Sequence, residues 1–172
     1  AKMLLLGCLL ECLSPMLSVA AALSVNATSR DVFGAVPRDK QERASQAQGE
    51  TFGELRSDLL AVAAAYEGWQ KARADGGSKG ERAFCEPLFL NIRALRDIES
   101  ERKDLLRYLD AIGFLPAKAS EPAESSRARV PCSTHSSNVT LLRGVICAAF
   151  YPNVAVATRT TAASGQSYEK LT

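Results

Sequence analysis

Histidine is nearly absent from this sequence, since His135 is the only one among 172 residues. A zinc site built on histidines, or a Ser/His/Asp triad, needs imidazole groups that the chain hardly has. A phosphate loop of the Gly-x-x-x-x-Gly-Lys-[Ser/Thr] type and an Asp-Glu-x-His motif are also missing. By itself, the chain therefore lacks the sequence motifs with which many ATPases bind and hydrolyse a nucleotide.

Cysteine chemistry is restricted in a similar way. The number of cysteines is odd, and no Cys-x-x-Cys pair occurs among Cys8, Cys12, Cys85, Cys132 and Cys147. Neither a disulfide framework nor a thiolate zinc site fits this pattern. Free thiols are typical of a reducing compartment, so the sequence favours the cytoplasm or the nucleus.

An excess of one charge sign is missing too. The chain has 21 Lys and Arg against 19 Asp and Glu, with 47% hydrophobic and 23% charged residues. Such a composition is ordinary for a globular domain and excludes a chain that is disordered throughout. A net charge of +2 does not by itself indicate a dedicated basic nucleic-acid-binding domain.

The first 24 residues predict two apolar helices that meet at Ser14-Pro15, where serine is a typical N-cap and proline a typical first helical residue. Glu11 interrupts the apolar run, which makes it too short for a transmembrane span. We therefore expect the buried centre of a helical bundle. Since the chain begins with Ala1, we also expect it to be an excerpt of a longer protein.

A secreted helical protein is the alternative for this segment. It predicts cleavage of a signal peptide near Ala22 and glycans on Asn26 or Asn138, both of which stand in glycosylation sequons. The free thiols favour the bundle over this alternative.

Helical spacing continues along the rest of the chain, and the patterns of apolar residues and caps predict four more helical segments and two short strands. Residues 117–137 are rich in Ala, Ser, Pro and Glu and predict a flexible linker. The predicted helices are a charged one from Pro37 to about Gly49, one capped by Ser57-Asp58 and ended by Gly76-Gly77, a long one from Arg93 to about Ile112, and one from Asn138 to Phe150; the strands are 154–158 and 166–171.

Five blocks of residues follow one another in a specific order. They are the apolar helix with its Cys12-Leu-Ser-Pro15 turn and alanine-rich continuation; Pro37-Arg-Asp-Lys40; Ser57-Asp58 with Tyr66-Glu-Gly-Trp69; Phe84-Cys85 with Phe89-Leu90, Leu95-Arg96 and Arg102; and Phe150-Tyr-Pro-Asn-Val-Ala155. In this order they resemble the helicase-associated region of DEAH-box RNA helicases, and the Tyr-Pro-Asn form is similar to the RNA helicase A-like branch.

The resemblance implies a mainly α fold: a helical bundle, made of a winged-helix remnant and ratchet-like helices, followed by a truncated β segment of an oligonucleotide/oligosaccharide-binding (OB) fold. The implied domains are the end of a winged helix and its entry helices at 1–37, a ratchet-like bundle at 38–116, the flexible linker at 117–137, and a helix leading into an incomplete OB-fold at 138–172.

The function implied by the resemblance is that of an accessory domain of an ATP-dependent RNA helicase, which helps form the single-stranded RNA channel. Its partners would be single-stranded RNA, the motor domains of the same parent chain and possible adaptor proteins, with no membrane contact. No cofactor is expected in this chain, whereas ATP and Mg²⁺ are implied for the parent's motor domains. The alternative is a helical scaffold that has lost RNA contact, which the apolar or small residues Leu59, Leu88 and Ser100 at usually polar family positions would support.

Six residues are candidates for RNA contact under this resemblance. Arg102 interrupts the apolar stripe of the long helix, so it either extends its charged end to water or faces a channel and meets a phosphate or carboxylate. Tyr66 and Trp69 lie on an apolar face and are expected to pack in the core rather than stack on bases. The other five candidates are Arg96, Asn91, Arg38, Lys40 and Asn153.

Overall fold

The computed structural model describes residues 1–26, 31–34, 36–115, 132–153, 157–161 and 167–171. Within these ranges the chain is mainly helical, as predicted. The elements are α1 (Lys2–Leu9), α2 (Leu13–Asn26), α3 (Gln41–Phe52), α4 (Asp58–Cys85), α5 (Ile92–Ala111), α6 (Val139–Phe150), β1 (Ala157–Thr161) and β2 (Ser167–Leu171), with single 3₁₀ turns at Arg38–Lys40 and Gly53–Leu55.

Helix α2 lies at the centre of the bundle, because it packs against α1, α4 and α5, while α1 also packs against α6. The largest core cluster joins α2 to α4 and α5 through side chains such as Ala21, Trp69 and Leu95. A second cluster joins Met16 of α2 to Leu142 of α6. Helices from both sides of the predicted boundary near residue 37 thus share one core, and the domain boundaries themselves stay predictions.

The start of α2 differs from the expectation that Ser14 is its N-cap. The helix begins at Leu13, whose backbone N–H donates to the carbonyl oxygen of Cys132 at 2.9 Å. The N–H of Ser14 donates to the hydroxyl of Ser133 at 3.1 Å. The free N–H groups of this helix end are therefore satisfied by a distant segment. That segment falls in the predicted linker, of which residues 117–131 lie outside the described residues.

Helix α4 is two helical segments that fold back on each other at Gly77, which has φ +57° and ψ −142°. The close approach needs glycines, because a Cβ on Gly68 would overlap the ring of Phe84 and one on Gly80 would overlap the carbonyl oxygen of Ala72. The predicted stop at Gly76-Gly77 is thus a reversal of direction, and residues 78–85 return along the first segment.

The serine cap predicted for α4 is present, because the hydroxyl of Ser57 accepts from Leu60 N–H. Helix α6 also begins at a side-chain cap, where the side chain of Asn138 accepts from Leu141 N–H. Helix α5 ends at Ala111 and is followed by Gly113, whose φ of +72° is the left-handed conformation typical of a residue just after a helix.

The two strands form an antiparallel pair, with Thr160 opposite Tyr168. Strand β2 agrees with the predicted strand 166–171, whereas β1 overlaps the predicted strand 154–158 only at residues 157 and 158 and continues to Thr161. Residues 154–156 and 162–166 lie outside the described residues. A pair of strands is shared by many folds, so the OB-fold stays a prediction.

Candidate nucleic-acid interface

The outer face of α5 carries a basic stripe. Its members recur every three or four residues, directly opposite the buried side chains Leu95, Ile98 and Leu109. At 1.5 Å per residue the stripe extends over about 21 Å of the helix. The stripe consists of Arg93, Arg96, Ser100, Lys103 and Arg107.

The cations of the stripe differ in their partners. Arg107 forms an ion pair with Asp104 on the same helix at 2.9 Å. The side chains of Arg93 and Lys103 form no hydrogen bond or ion pair within the described residues. Both are therefore available to a phosphate without first giving up a partner.

Arg96 is anchored at the edge of the core by a buried carboxylate. Its Nε and Nη2 atoms donate to the two oxygens of Glu81 at 3.2 and 2.7 Å, and its own side chain is 56% exposed. Trp69 Nε1–H donates to the same carboxylate at 2.8 Å. The hydrogen bond from Arg96 lowers the pKa of Glu81 and raises the pKa of Arg96. Glu81 thus stays ionised although it is buried.

A second cation, Arg73, joins this network through the indole ring of Trp69. The guanidinium of Arg73 lies 5.1 Å from the centroid of the Trp69 ring and forms an ion pair with Glu99 at 2.8 Å. The interaction ties α4 to α5 next to the Glu81 anchor. Trp69 itself is fully buried, as predicted for a core residue.

Arg102 has a different place from the one that either sequence interpretation gave it. The residue is only 5% exposed and points inward between α2 and α4. Its Nη1 donates to the carbonyl oxygen of Ser14 and to the hydroxyl of Ser18 at 2.6 Å, and its Nη2 donates to the Ser14 hydroxyl at 3.3 Å. The guanidinium also lies 4.7 Å from the centroid of the Tyr66 ring.

The guanidinium of Arg102 is buried, and α2 supplies the oxygen atoms that accept its hydrogens. Burial lowers the pKa of Arg102, and burial raises the pKa of the Tyr66 phenol to about 12. Even so, an arginine stays protonated at neutral pH. Arg102 is therefore a buried cation with neutral hydrogen-bonding partners, and its contact with RNA stays an untested prediction.

The remaining predicted candidates are scattered. Asn91 caps α5, where its side-chain oxygen accepts from the backbone N–H groups of Arg93 and Ala94 at 3.1 and 3.3 Å. Arg38 and Lys40 are exposed on the 3₁₀ turn before α3, and Asn153 is exposed after α6. The side chains of Arg38 and Lys40 form no hydrogen bond or ion pair within the described ranges.

Sequence reasoning missed two parts of this interface. The outer stripe could have been found, since Arg93, Lys103 and Arg107 follow the same three-and-four spacing as the apolar stripe. The role of Glu81 carried no such signal, because its partners are 12 and 15 residues away and meet it only when α4 folds back.

A phosphate loop and a metal site are not found in the described part of the chain. The glycine-rich stretch 76–80 forms the tip of the α4 reversal rather than a loop between a strand and a helix, so it does not fit a phosphate loop. Among the described residues, no group of three His, Cys, Asp or Glu side chains could hold a metal ion. No helix in the same ranges is long and apolar enough to cross a bilayer.

Residues 1–62 match the family model for the helicase-associated domain (HA2), ratchet-like. The match begins at residue 1, so it includes the segment for which the resemblance implies a winged-helix remnant. It ends within the first part of α4, and the ratchet-like assignment of the residues that follow it stays a prediction.

Longer stretches of the chain are similar to parts of helicases. The chain is 38% identical over 156 residues to a protein of Mycosarcoma maydis whose name describes it as a DEAH-box ATP-dependent helicase. It is 33% identical over 154 residues to the human ATP-dependent DNA/RNA helicase DHX36, and 34% identical over 153 residues to the Arabidopsis thaliana DExH-box ATP-dependent RNA helicase DExH1.

These alignments cover 90%, 90% and 89% of this chain but only 10%, 14% and 14% of the relatives. The chain thus corresponds to a small part of each relative. The order of blocks in the sequence, the helical bundle and the alignments agree. The chain is thus similar to the helicase-associated region of DEAH-box ATP-dependent helicases, and residues 1–62 match its ratchet-like domain.

Proposed function

We propose that this chain is the accessory domain of an ATP-dependent RNA helicase and forms one wall of the channel for single-stranded RNA. The observation that carries the proposal is the basic stripe on the outer face of α5. A row of cations along about 21 Å of rigid helix suits the phosphates of an extended strand, whatever its base sequence.

The buried side of the same helix supports this role by fixing the orientation of the stripe. Arg102 binds α5 to α2, and the Glu81 carboxylate holds Arg96 and Trp69 together. A helix held at two points along its inner face presents its outer cations in a fixed direction. Preorganised cations lose less conformational entropy when a phosphate binds.

Arg38, Lys40 and Asn153 are exposed and are proposed as further RNA contacts outside the stripe. Asn91 and Arg102 have structural partners, so we assign them to supporting the fold. ATP and Mg²⁺ would act in motor domains of the parent protein, because this chain has neither a phosphate loop nor an Asp-Glu-x-His motif. The motor domains would pull the strand along the wall that α5 forms.

Fluorescence anisotropy with a labelled twelve-nucleotide oligouridylate tests the proposal. For the wild-type chain we expect binding whose equilibrium constant falls with salt, with a logarithmic slope of about −2 for roughly three phosphate contacts to a single strand. The double variant Arg93→Glu/Lys103→Glu should bind at least tenfold more weakly at about 50 mM salt, because it replaces two attractive charges by repulsive ones.

The double variant Lys2→Glu/Lys71→Glu is the matched control. It changes the net charge equally, and both lysines are exposed on helices other than α5. An equal loss of affinity in both double variants would show a nonspecific charge effect and contradict the stripe. No binding by the wild-type chain at low salt would favour the alternative, a helical scaffold that has lost RNA contact.

A further inference from the structure

An open cavity of about 340 Å³ lies on the inner side of the bundle, away from the outer face of α5. Helix α2, the first half of α4 and the segment that leads into α6 surround it. Leu60 and Ala63 of α4 and Leu142 of α6 form apolar walls. Its size is within the range of small-molecule sites, which combine such walls with a few convergent polar groups.

The buried Arg102 holds two serine side chains of this cavity in place. Ser14 and Ser18 line it, and their hydroxyl oxygens accept hydrogen bonds from the buried Arg102. The Ser18 hydroxyl in turn donates to the backbone carbonyl oxygen of Ser14 at 3.5 Å, whereas the hydrogen of the Ser14 hydroxyl is free to point elsewhere. The cavity wall therefore offers one hydroxyl donor, that of Ser14, beside a buried positive charge.

The rim carries two polar side chains that are available to a ligand. Glu67 and Gln70 are neighbours on one face of α4, and both line the cavity. Their side chains form no hydrogen bond or ion pair within the described residues. A carboxylate that only accepts and an amide that both donates and accepts thus stand next to each other at the mouth.

We propose that this cavity binds a purine nucleobase, with guanine preferred. The carboxylate of Glu67 would accept the two adjacent N–H donors of the guanine Watson–Crick edge, and the Gln70 amide would donate to O6. The apolar walls would cover the flat faces of the ring. The base comes either from a free guanine nucleotide or from an unpaired guanine of an RNA strand.

The choice of a nucleobase rests on the proposed RNA function, but the site does not use the α5 stripe. Oligouridylate contains no guanine, so its binding reports on the proposed RNA function and not on a guanine site in the cavity. Binding of a mononucleotide, which can make few phosphate contacts, reports on the cavity. The two proposals can therefore fail separately.

Saturation-transfer NMR with guanosine monophosphate as the probe, and adenosine and cytidine monophosphate as comparisons, tests the site on the 172-residue chain. We expect transfer to the guanine H8 proton, with binding at least tenfold weaker for the other two nucleotides. Glu67→Gln should weaken guanosine monophosphate binding about tenfold or more, because the Glu67 carboxylate acceptor is lost. Glu86→Gln, at an exposed position just after α4, should leave it unchanged.

A second pair of variants tests the cavity itself. Ala64→Phe fills it and should abolish binding, whereas the same change at the exposed Ala74 should not. If Ala64→Phe impairs folding, as shown by circular dichroism, the rim variant Gln70→Ala replaces it and should reduce binding at least threefold.

An oligonucleotide with one central guanine, compared with the same strand carrying inosine, which lacks the exocyclic amino group, separates the two sources of the base. Weaker binding of the inosine strand assigns the site to RNA, and equal binding of the two strands assigns it to the free nucleotide. No saturation transfer from wild-type protein at millimolar guanosine monophosphate, or equal transfer in Glu67→Gln and wild type, would overturn the proposal.

Discussion

The two faces of α5 use arginine for opposite purposes. On the inner face, Arg102 is 5% exposed, donates its hydrogens to Ser14 and Ser18, and lies over the ring of Tyr66. On the outer face, Arg93 is exposed and has no such partner within the described residues. The two residues lie within three turns of one helix. Arg102 stabilises the bundle, and Arg93 is available for a ligand.

The comparison shows that the position of an arginine in the helical period predicts its burial, but its partners decide its role. Arg102 lies in register with apolar side chains and is buried with them. Its charge is tolerated because α2 and α4 provide oxygen atoms and an aromatic face. Without those partners a buried guanidinium would be strongly destabilising.

Removing the inner arginine should have the largest effect on stability. Arg102→Met keeps an unbranched apolar stem but removes the guanidinium, which leaves the oxygens of Ser14 and Ser18 without their donor. We expect a loss of about 2–3 kcal/mol in the free energy of unfolding, measured by urea denaturation. Arg93→Met on the outer face is the control and should change stability by less than about 0.5 kcal/mol. Equal losses of stability in the two variants would contradict the different roles assigned to the two faces.

A variant of Glu81 tests the ion pair that anchors Arg96 at the edge of the core. Glu81→Gln weakens the pairing with Arg96 while an amide oxygen can still accept from Trp69, so we expect a loss of about 1–3 kcal/mol. Glu86→Gln, at an exposed carboxylate, should be nearly neutral.

Acid should abolish the difference between wild type and Glu81→Gln. The pKa of Glu81 is lowered from 4.5 by the folded structure, so its stabilisation is complete above that value and is lost as the pH falls through the lower, folded-state pKa. Urea denaturation of both proteins from pH 7 downwards measures this. A difference that persists unchanged under strongly acidic conditions would contradict the assignment of the shift.

The reversal of α4 brings Glu81 under Arg96, and glycine permits it. Gly80→Ala places a methyl group against the carbonyl oxygen of Ala72 and should destabilise the chain by about 1–2 kcal/mol. The control Gly49→Ala has open space and should stabilise α3 by up to about 1 kcal/mol. Thermal unfolding measures whether each variant raises or lowers the stability. Stabilisation by both variants would contradict the close approach of Gly80 to Ala72.

Local signals made the helices predictable. The caps at Ser57 and Asn138 and the apolar period of α5 depend on residues close together in sequence. The start of α2 and the partners of Arg102 were not predictable, because they join residues 84 to 119 positions apart. Of the six predicted RNA contacts, the structure leaves Arg38, Lys40 and Asn153 exposed and gives the other three partners within the chain.

NMR of the arginine Nε–Hε groups during titration with oligouridylate tests the central claim most directly, because it observes both faces of α5 in one sample. We predict that the signals of Arg93 and Arg107 shift with added RNA, whereas the signal of Arg102 stays in place. A shift of Arg102 larger than those of the outer arginines would contradict the account, since RNA would then reach the inner face.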